Sequence, residues 1–146
     1  MRFNALVPEL YVVDFQRSLT FYTEILEFAL EYQRADPSFA FLSYQGSQVM
    51  IELEHEDKDW HTGSLEYPCG RGINFQIRTD NAQKLLERLN VANYPLRRGL
   101  KDSYYKVNNT LYGYRQFLVM DPDGYLLRFS QPIEFCYFEQ LLHKGM

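Results

Sequence analysis

Apolar positions recur along the chain with two periods, and their alternation outlines the fold. Leu10-Tyr11-Val12-Val13 is a short β-prone run ending at Asp14, whose side chain suits a helix N-cap. From Phe15 to Phe28 the residues Phe15, Leu19, Tyr22, Ile25 and Leu26 return at helical spacing, with Gln16, Arg17, Thr23 and Glu24 outside the stripe. That predicts an amphipathic helix over 15–28. Residues 39–44 and 48–54, joined by Gln45-Gly46-Ser47, predict a β-hairpin on a glycine turn. In the second half, residues 73–77 read as a strand of alternating polarity. Thr79 or Asp80 is the expected cap of a helix whose apolar face is Ala82, Leu85, Leu86 and Leu89, and Gln83 stands at capping-box spacing from Asp80. Residues 99–113 are expected as a long loop, a type of segment that often carries function. Residues 115–120 and 125–130 predict a second hairpin around Asp121-Pro122-Asp123-Gly124. The tail 133–146 spaces Ile133, Phe135, Cys136, Phe138, Leu141 and Leu142 as a short amphipathic helix would, packing on the body or on a second subunit.

The halves repeat each other. Phe41 lies on Phe117 and Val49 on Tyr125, both 76 residues apart, whereas the helix starts are offset by about ten residues fewer, so the second half carries extra chain before its hairpin. Two βαβββ modules, 1–58 and 70–132, followed by the tail 133–146, make one α+β domain. The expected architecture is a curved eight-stranded mixed sheet with helices outside and a hollow for small molecules.

Composition narrows the function. With 15 Lys+Arg against 19 Asp+Glu the net charge is −4, which disfavours nucleic acid, whose phosphates require a basic face. No stretch approaches the roughly 20 apolar residues that cross a bilayer, and Met1-Arg2-Phe3-Asn4 opens no secretory leader. A cytoplasmic location without membrane contact is therefore expected. Cys69 and Cys136 are too few for a disulfide framework or a zinc site. Twelve Tyr, 11 Phe and one Trp make 16% of the chain, more than its core requires; such rings thicken a core or line a pocket for flat ligands.

Three runs in this order resemble the vicinal-oxygen-chelate superfamily, which holds glyoxalase I, extradiol dioxygenases, fosfomycin-resistance thiol transferases and bleomycin-resistance proteins. They are Val7-Pro8-Glu9-Leu10-Tyr11-Val12-Val13-Asp14, the stretch from Arg17 to Phe28, and Arg115-Gln116-Phe117 leading into the stretch from Asp121 to Phe129. Glu27 stands where the family usually has glycine. In the metalloenzymes of this superfamily, a His or Gln on the first strand of each half and a Glu on the last converge on a divalent ion. Those positions fall here at Val7, at Gly72 or Ile73, at Glu52 and at Arg128. Only Glu52 can ligate, and a guanidinium repels the ion it would share a site with. Relocated ligands could be sought in His55 and His61 with Glu52, Glu54, Glu56, Asp57 or Asp59, but so dense a charge run is usually a solvated turn. His143 reads as a surface residue of the tail. No metal and no other cofactor is expected, and Glu52 and Arg128 are expected to form an ion pair that ties the halves together or contacts ligand.

No Ser or Cys stands with a His and an acid in a recognisable nucleophilic arrangement, so the sequence leans toward binding rather than turnover and assigns no catalytic residue. The resemblance is nearest to bleomycin-resistance proteins. It implies a homodimer that sequesters a planar ligand, cationic in the case of bleomycin, in clefts at the dimer interface. Candidate ligand-binding residues are Tyr32, Phe39, Glu52, Trp60, Tyr104, Tyr105, Tyr112 and Arg128. Relatives carry a tryptophan entering the second half's first strand, where this chain has Asn74, which counts against bleomycin itself. The alternatives are a metal-dependent lyase or dioxygenase of the glyoxalase type with a rearranged site, and a binding module for an endogenous aromatic metabolite.

Overall fold

Residues 1–137 are described in the structure, a computed structural model. The chain divides into two compact units, Met1–Asn74 with Met120–Leu126, and Phe75–Val119 with the chain from Leu127. The eight strands are hydrogen-bonded four and four, in two sheets of equivalent topology.

In the first unit, β1 (Glu9–Val12) leads through α1 (Phe15–Thr20) to β2 (Ala29–Ala35), β3 (Ser38–Tyr44) and β4 (Ser47–Leu53), in the order β1-β4-β3-β2. β1 runs parallel to β4 because the helical crossover returns the chain in the same direction, while the tight turns make the other pairs antiparallel. Asp14 caps α1, its side chain accepting from the Arg17 amide. The predicted single helix over 15–28 is only half α. Residues Phe21–Ile25 widen into a π turn that buries Phe21 and Tyr22, and the helical segment stops before Glu27, which takes a left-handed φ of 63°. Leu10, Val12, Ala40, Leu42, Val49 and Ile51 form the apolar sheet face, and α1 packs on β3 and β4.

The strand β2, which the sequence reading left out, contains the unit's main irregularity. Leu30 pairs with Leu42 but Tyr32 pairs with Phe41, so Glu31 is an extra residue. This bulge moves Tyr32 and Arg34 off the face that packs on the helix and onto the opposite one.

In the second unit, β5 (Asn74–Arg78), α2 (Ala82–Val91), β6 (Arg98–Val107), β7 (Thr110–Met120) and β8 (Leu126–Tyr137) follow, in the order β5-β8-β7-β6. Asn81, not Thr79 or Asp80, caps α2: its side chain accepts from the Lys84 amide, and Gln83 reaches Glu87 instead of closing a capping box. Ala82, Leu85 and Leu89 are buried and Leu86 is half-buried, consistent with a narrower stripe than expected. Phe117 and Phe129 stack at 5.3 Å within the core.

The expected loop 99–113 is a long hairpin. Val107 pairs with Thr110 across a two-residue turn, and Asn108 supplies the left-handed φ (55°) that such a turn demands. The expected tail helix is also corrected, since β8 continues as strand through Tyr137. The remainder of that expectation, with Phe138, Leu141, Leu142 and His143, lies outside the described residues.

The Asp121–Gly124 turn is a structural clamp within the first unit. Asp121 Oδ1 accepts from the amides of Asp123 and Tyr125, and its Oδ2 accepts from the Tyr22 hydroxyl at 2.8 Å. Asp123 accepts from the Val13 amide and the Ser18 hydroxyl, while Tyr125 donates its hydroxyl to the Tyr11 carbonyl. Gly124 has a φ of 93°, and a Cβ there would meet the Pro68 Cα at 2.5 Å.

Candidate functional site

Each unit turns one sheet face away from its helix, and six of the eight candidate site residues lie on these faces. In the first unit, register places Glu9 and Tyr11 of β1 beside Met50 and Glu52 of β4, next to Phe39 and Phe41 of β3 and then Tyr32 and Arg34 of β2. The rings form a continuous surface. Tyr32 stacks on Phe41 at 5.3 Å and leans on Phe39, the Arg34 guanidinium lies 4.0 Å over the Phe39 ring, and Phe3 meets Phe41 edge-on. Phe39 is thereby almost fully buried, whereas Tyr32 is 38% exposed.

Beside the rings lies an acid cluster. Glu52 is buried, His55 Nε2 stands 3.4 Å from its Oε2, and the Tyr11 hydroxyl is 3.4 Å from the same nitrogen. Glu9 is exposed along much of its length, yet its carboxyl is hydrogen-bonded to that of Glu52. Burial, that hydrogen bond and the Glu52 charge push it up to about 7, against partial relief from Arg34 and His55. Two carboxyls in contact cannot both ionise easily, so Glu9 is only partly ionised at neutrality. Burial and the Glu52 charge likewise push the Tyr11 phenol up to about 12.

In the second unit, pairing of Tyr105 with Tyr112 and of Ser103 with Tyr114 puts these side chains on one face. A cavity of about 380 Å³ opens there, lined by Gln76, Tyr105, Val107, Tyr112, Tyr114 and Arg128. Behind it, buried Gln116 donates from Nε2 to the Tyr105 hydroxyl at 3.2 Å. That hydrogen bond, and next among the favourable influences the Arg128 charge, hold the Tyr105 phenol below its ordinary value, although burial works the other way. The Nε of Arg128 and the Oε1 of Gln116 are buried with no hydrogen-bond partner among the described residues.

Of the residues picked from sequence, Tyr32, Phe39 and Glu52 thus share the first unit's face, and Tyr105, Tyr112 and Arg128 line the second unit's cavity. Trp60 stands apart, 67% exposed on a single 3₁₀ turn with its indole N–H on Asp57. Tyr104 pairs with Gly113 on the opposite face of β6 and is 50% exposed. Sequence reasoning missed Glu9, Tyr11, Arg34, Phe41, Gln76, Val107 and Tyr114. Strand alternation would have revealed Glu9 two residues before Tyr11 and Tyr114 two after Tyr112, but Arg34 depended on the bulge.

The metal of the catalytic relatives does not fit these residues. Val7 offers no donor atom, Arg128 brings a positive charge, and among the described residues no group of three or more His, Cys, Asp or Glu side chains is placed to hold an ion. No helix among the described residues is long and apolar enough to cross a membrane.

The chain is similar over most of its length to solved proteins of this architecture. A glyoxalase/bleomycin resistance protein/dioxygenase superfamily member from Vibrio splendidus 12B01 is 34% identical, with 86% of this chain and 95% of that one covered and a TM-score of 0.40. TioX from Micromonospora sp. ML1 is 21% identical over 89% of this chain and 99% of its own, with a TM-score of 0.68. Lactoylglutathione lyase from Agrobacterium tumefaciens is 14% identical over 89% and 95%, with a TM-score of 0.59. No curated protein matches the chain. The model of the Glyoxalase family (Glyoxalase/Bleomycin resistance protein/Dioxygenase superfamily) matches residues 2–129, and with βαβββ topology in both units the chain belongs to that superfamily.

Proposed function

We propose that this protein binds a planar aromatic small molecule without a metal and without turning it over, acting as a homodimer in the manner of bleomycin-resistance proteins. The observation that carries the reading is the cavity of about 380 Å³ in the second unit, walled by three tyrosines and bearing Arg128 where metal-holding relatives have a carboxylate. Rings on rigid strands offer a stacking surface at little entropic cost. Taken by itself, the first unit's sheet face offers a cationic group the exposed Glu9 carboxyl and the part-exposed Tyr32 ring.

Calorimetric titration with metal-free and copper-loaded bleomycin, alongside elemental analysis of the purified protein, tests the proposal. Saturable binding, recovery of the drug unchanged and a metal content well below one ion per chain are expected. A tightly held stoichiometric ion required for activity on a glyoxalase or dioxygenase substrate would overturn it. Silence toward bleomycin with a different aromatic compound copurifying would keep the binding function and transfer it to an endogenous ligand.

A further inference from the structure

Resting on that reading, we infer that the cavity of the second unit selects a planar aromatic ring bearing an anionic oxygen, as in an aromatic carboxylate, with the oxygen on Arg128 and the ring among Tyr105, Tyr112 and Tyr114. Three observations converge on this. None of the six described residues lining the cavity is acidic, and among them Arg128 gives it a positive character. Among the described residues the Nε–H of Arg128 is buried without a partner while the side chain as a whole is half-exposed and lines the cavity, so an incompletely paired guanidinium faces any acceptor that enters. The same surroundings lower the Tyr105 phenol through the Gln116 hydrogen bond and the Arg128 charge, against burial, which is the direction expected beside a site that accepts negative charge.

A guanidinium binds a carboxylate through charge-assisted hydrogen bonds that a carboxamide cannot match and an ammonium opposes. The tyrosine walls, by contrast, accept any flat ring. Charge discrimination should therefore belong to Arg128, and overall affinity to the rings.

Three ring-matched probes separate these contributions: 2-naphthoate, 2-naphthamide and 2-naphthylmethylammonium, titrated by calorimetry. Naphthoate should bind at least roughly tenfold more tightly than either competitor, and its affinity alone should weaken as salt is raised. Arg128→Met should bring naphthoate to the level of the amide, Arg128→Lys should retain part of the preference, and Tyr112→Leu should weaken naphthoate and amide alike. The salt series on the unaltered protein provides a test even if a variant fails to fold. Equal binding of the three probes, a preference for the ammonium, or an unchanged preference in folded Arg128→Met would overturn the inference while leaving small-molecule binding intact. Uptake of bleomycin with no uptake of naphthoate would overturn it as well. Failure of every aromatic compound to bind would instead remove the proposed function on which it rests.

Discussion

At Glu27 the backbone takes a left-handed turn that an L-residue adopts only at a cost of roughly 1–2 kcal/mol. The family's usual glycine avoids that cost and returns part of it as unfolded-state entropy. Glu27→Gly should therefore raise the unfolding free energy by about 0.5–1 kcal/mol in urea denaturation. Asp121 is a second residue with a measurable signature. Burial pushes its carboxyl up to about 6 against the pull of the hydrogen bonds from Tyr22 and the Tyr125 amide. The folded value lies above the unfolded one, so the stability it contributes is complete below about pH 4 and is lost as pH rises through 6, a change of roughly 3 kcal/mol. Asp121→Asn preserves the acceptor for two amides and can donate to the Tyr22 hydroxyl. It should flatten the stability profile between those pH values, and an unchanged slope would locate the titration elsewhere. At this scale the sequence points to Asp14 because it sits directly against an apolar run, but points to Thr79 or Asp80 where Asn81 is the cap. Adjacent polar residues all suit a cap, and only the backbone decides which takes the extended conformation.

Among the elements, those with strong periodicity were legible: α2, the hairpin of β3 and β4, and the strand of β5 lie within a few residues of their expected places. β2 was not, because all its residues are exposed and it carries no alternation to read. The hairpin of β6 and β7 was hidden for a related reason, since its outer strand is an edge rich in charge and tyrosine. The turn before β8 was read from sequence as a hairpin corner, and the structure shows it to be a clamp as well. Gly124→Ala would press a methyl group into Pro68 at a φ reserved for glycine, and should cost roughly 3 kcal/mol or more in thermal or urea unfolding. A loss below 1 kcal/mol would mean that the clamp yields easily.

For the whole molecule, the protonation of Glu9 links pH to the charge that the first unit presents. Below pH 7 Glu9 is mainly protonated, and above it Glu9 adds a negative charge to this face. Affinity of this face for a cationic aromatic probe should rise between pH 6 and 8 in calorimetric titration, and Glu9→Gln should abolish the rise. Because the folded value is raised, the same deprotonation withdraws stability as pH climbs from about 4.5 through 7. The candidate site was legible in part. Tyr105, Tyr112 and Arg128 could be found from aromatic content and from one substituted position, whereas the cavity that joins them depends on strand register that no single residue encodes. Glu52 belongs to the first unit and Arg128 to the second.

The first unit is not a contiguous piece of chain, because Met120–Leu126 belongs to it. During synthesis, the Tyr22 hydroxyl and the Val13 amide must wait about a hundred residues for their acceptors on Asp121 and Asp123. A nascent chain arrested after β5 should therefore be a protease and chaperone substrate, and resistance should appear only once the ribosome has released the segment through Leu126.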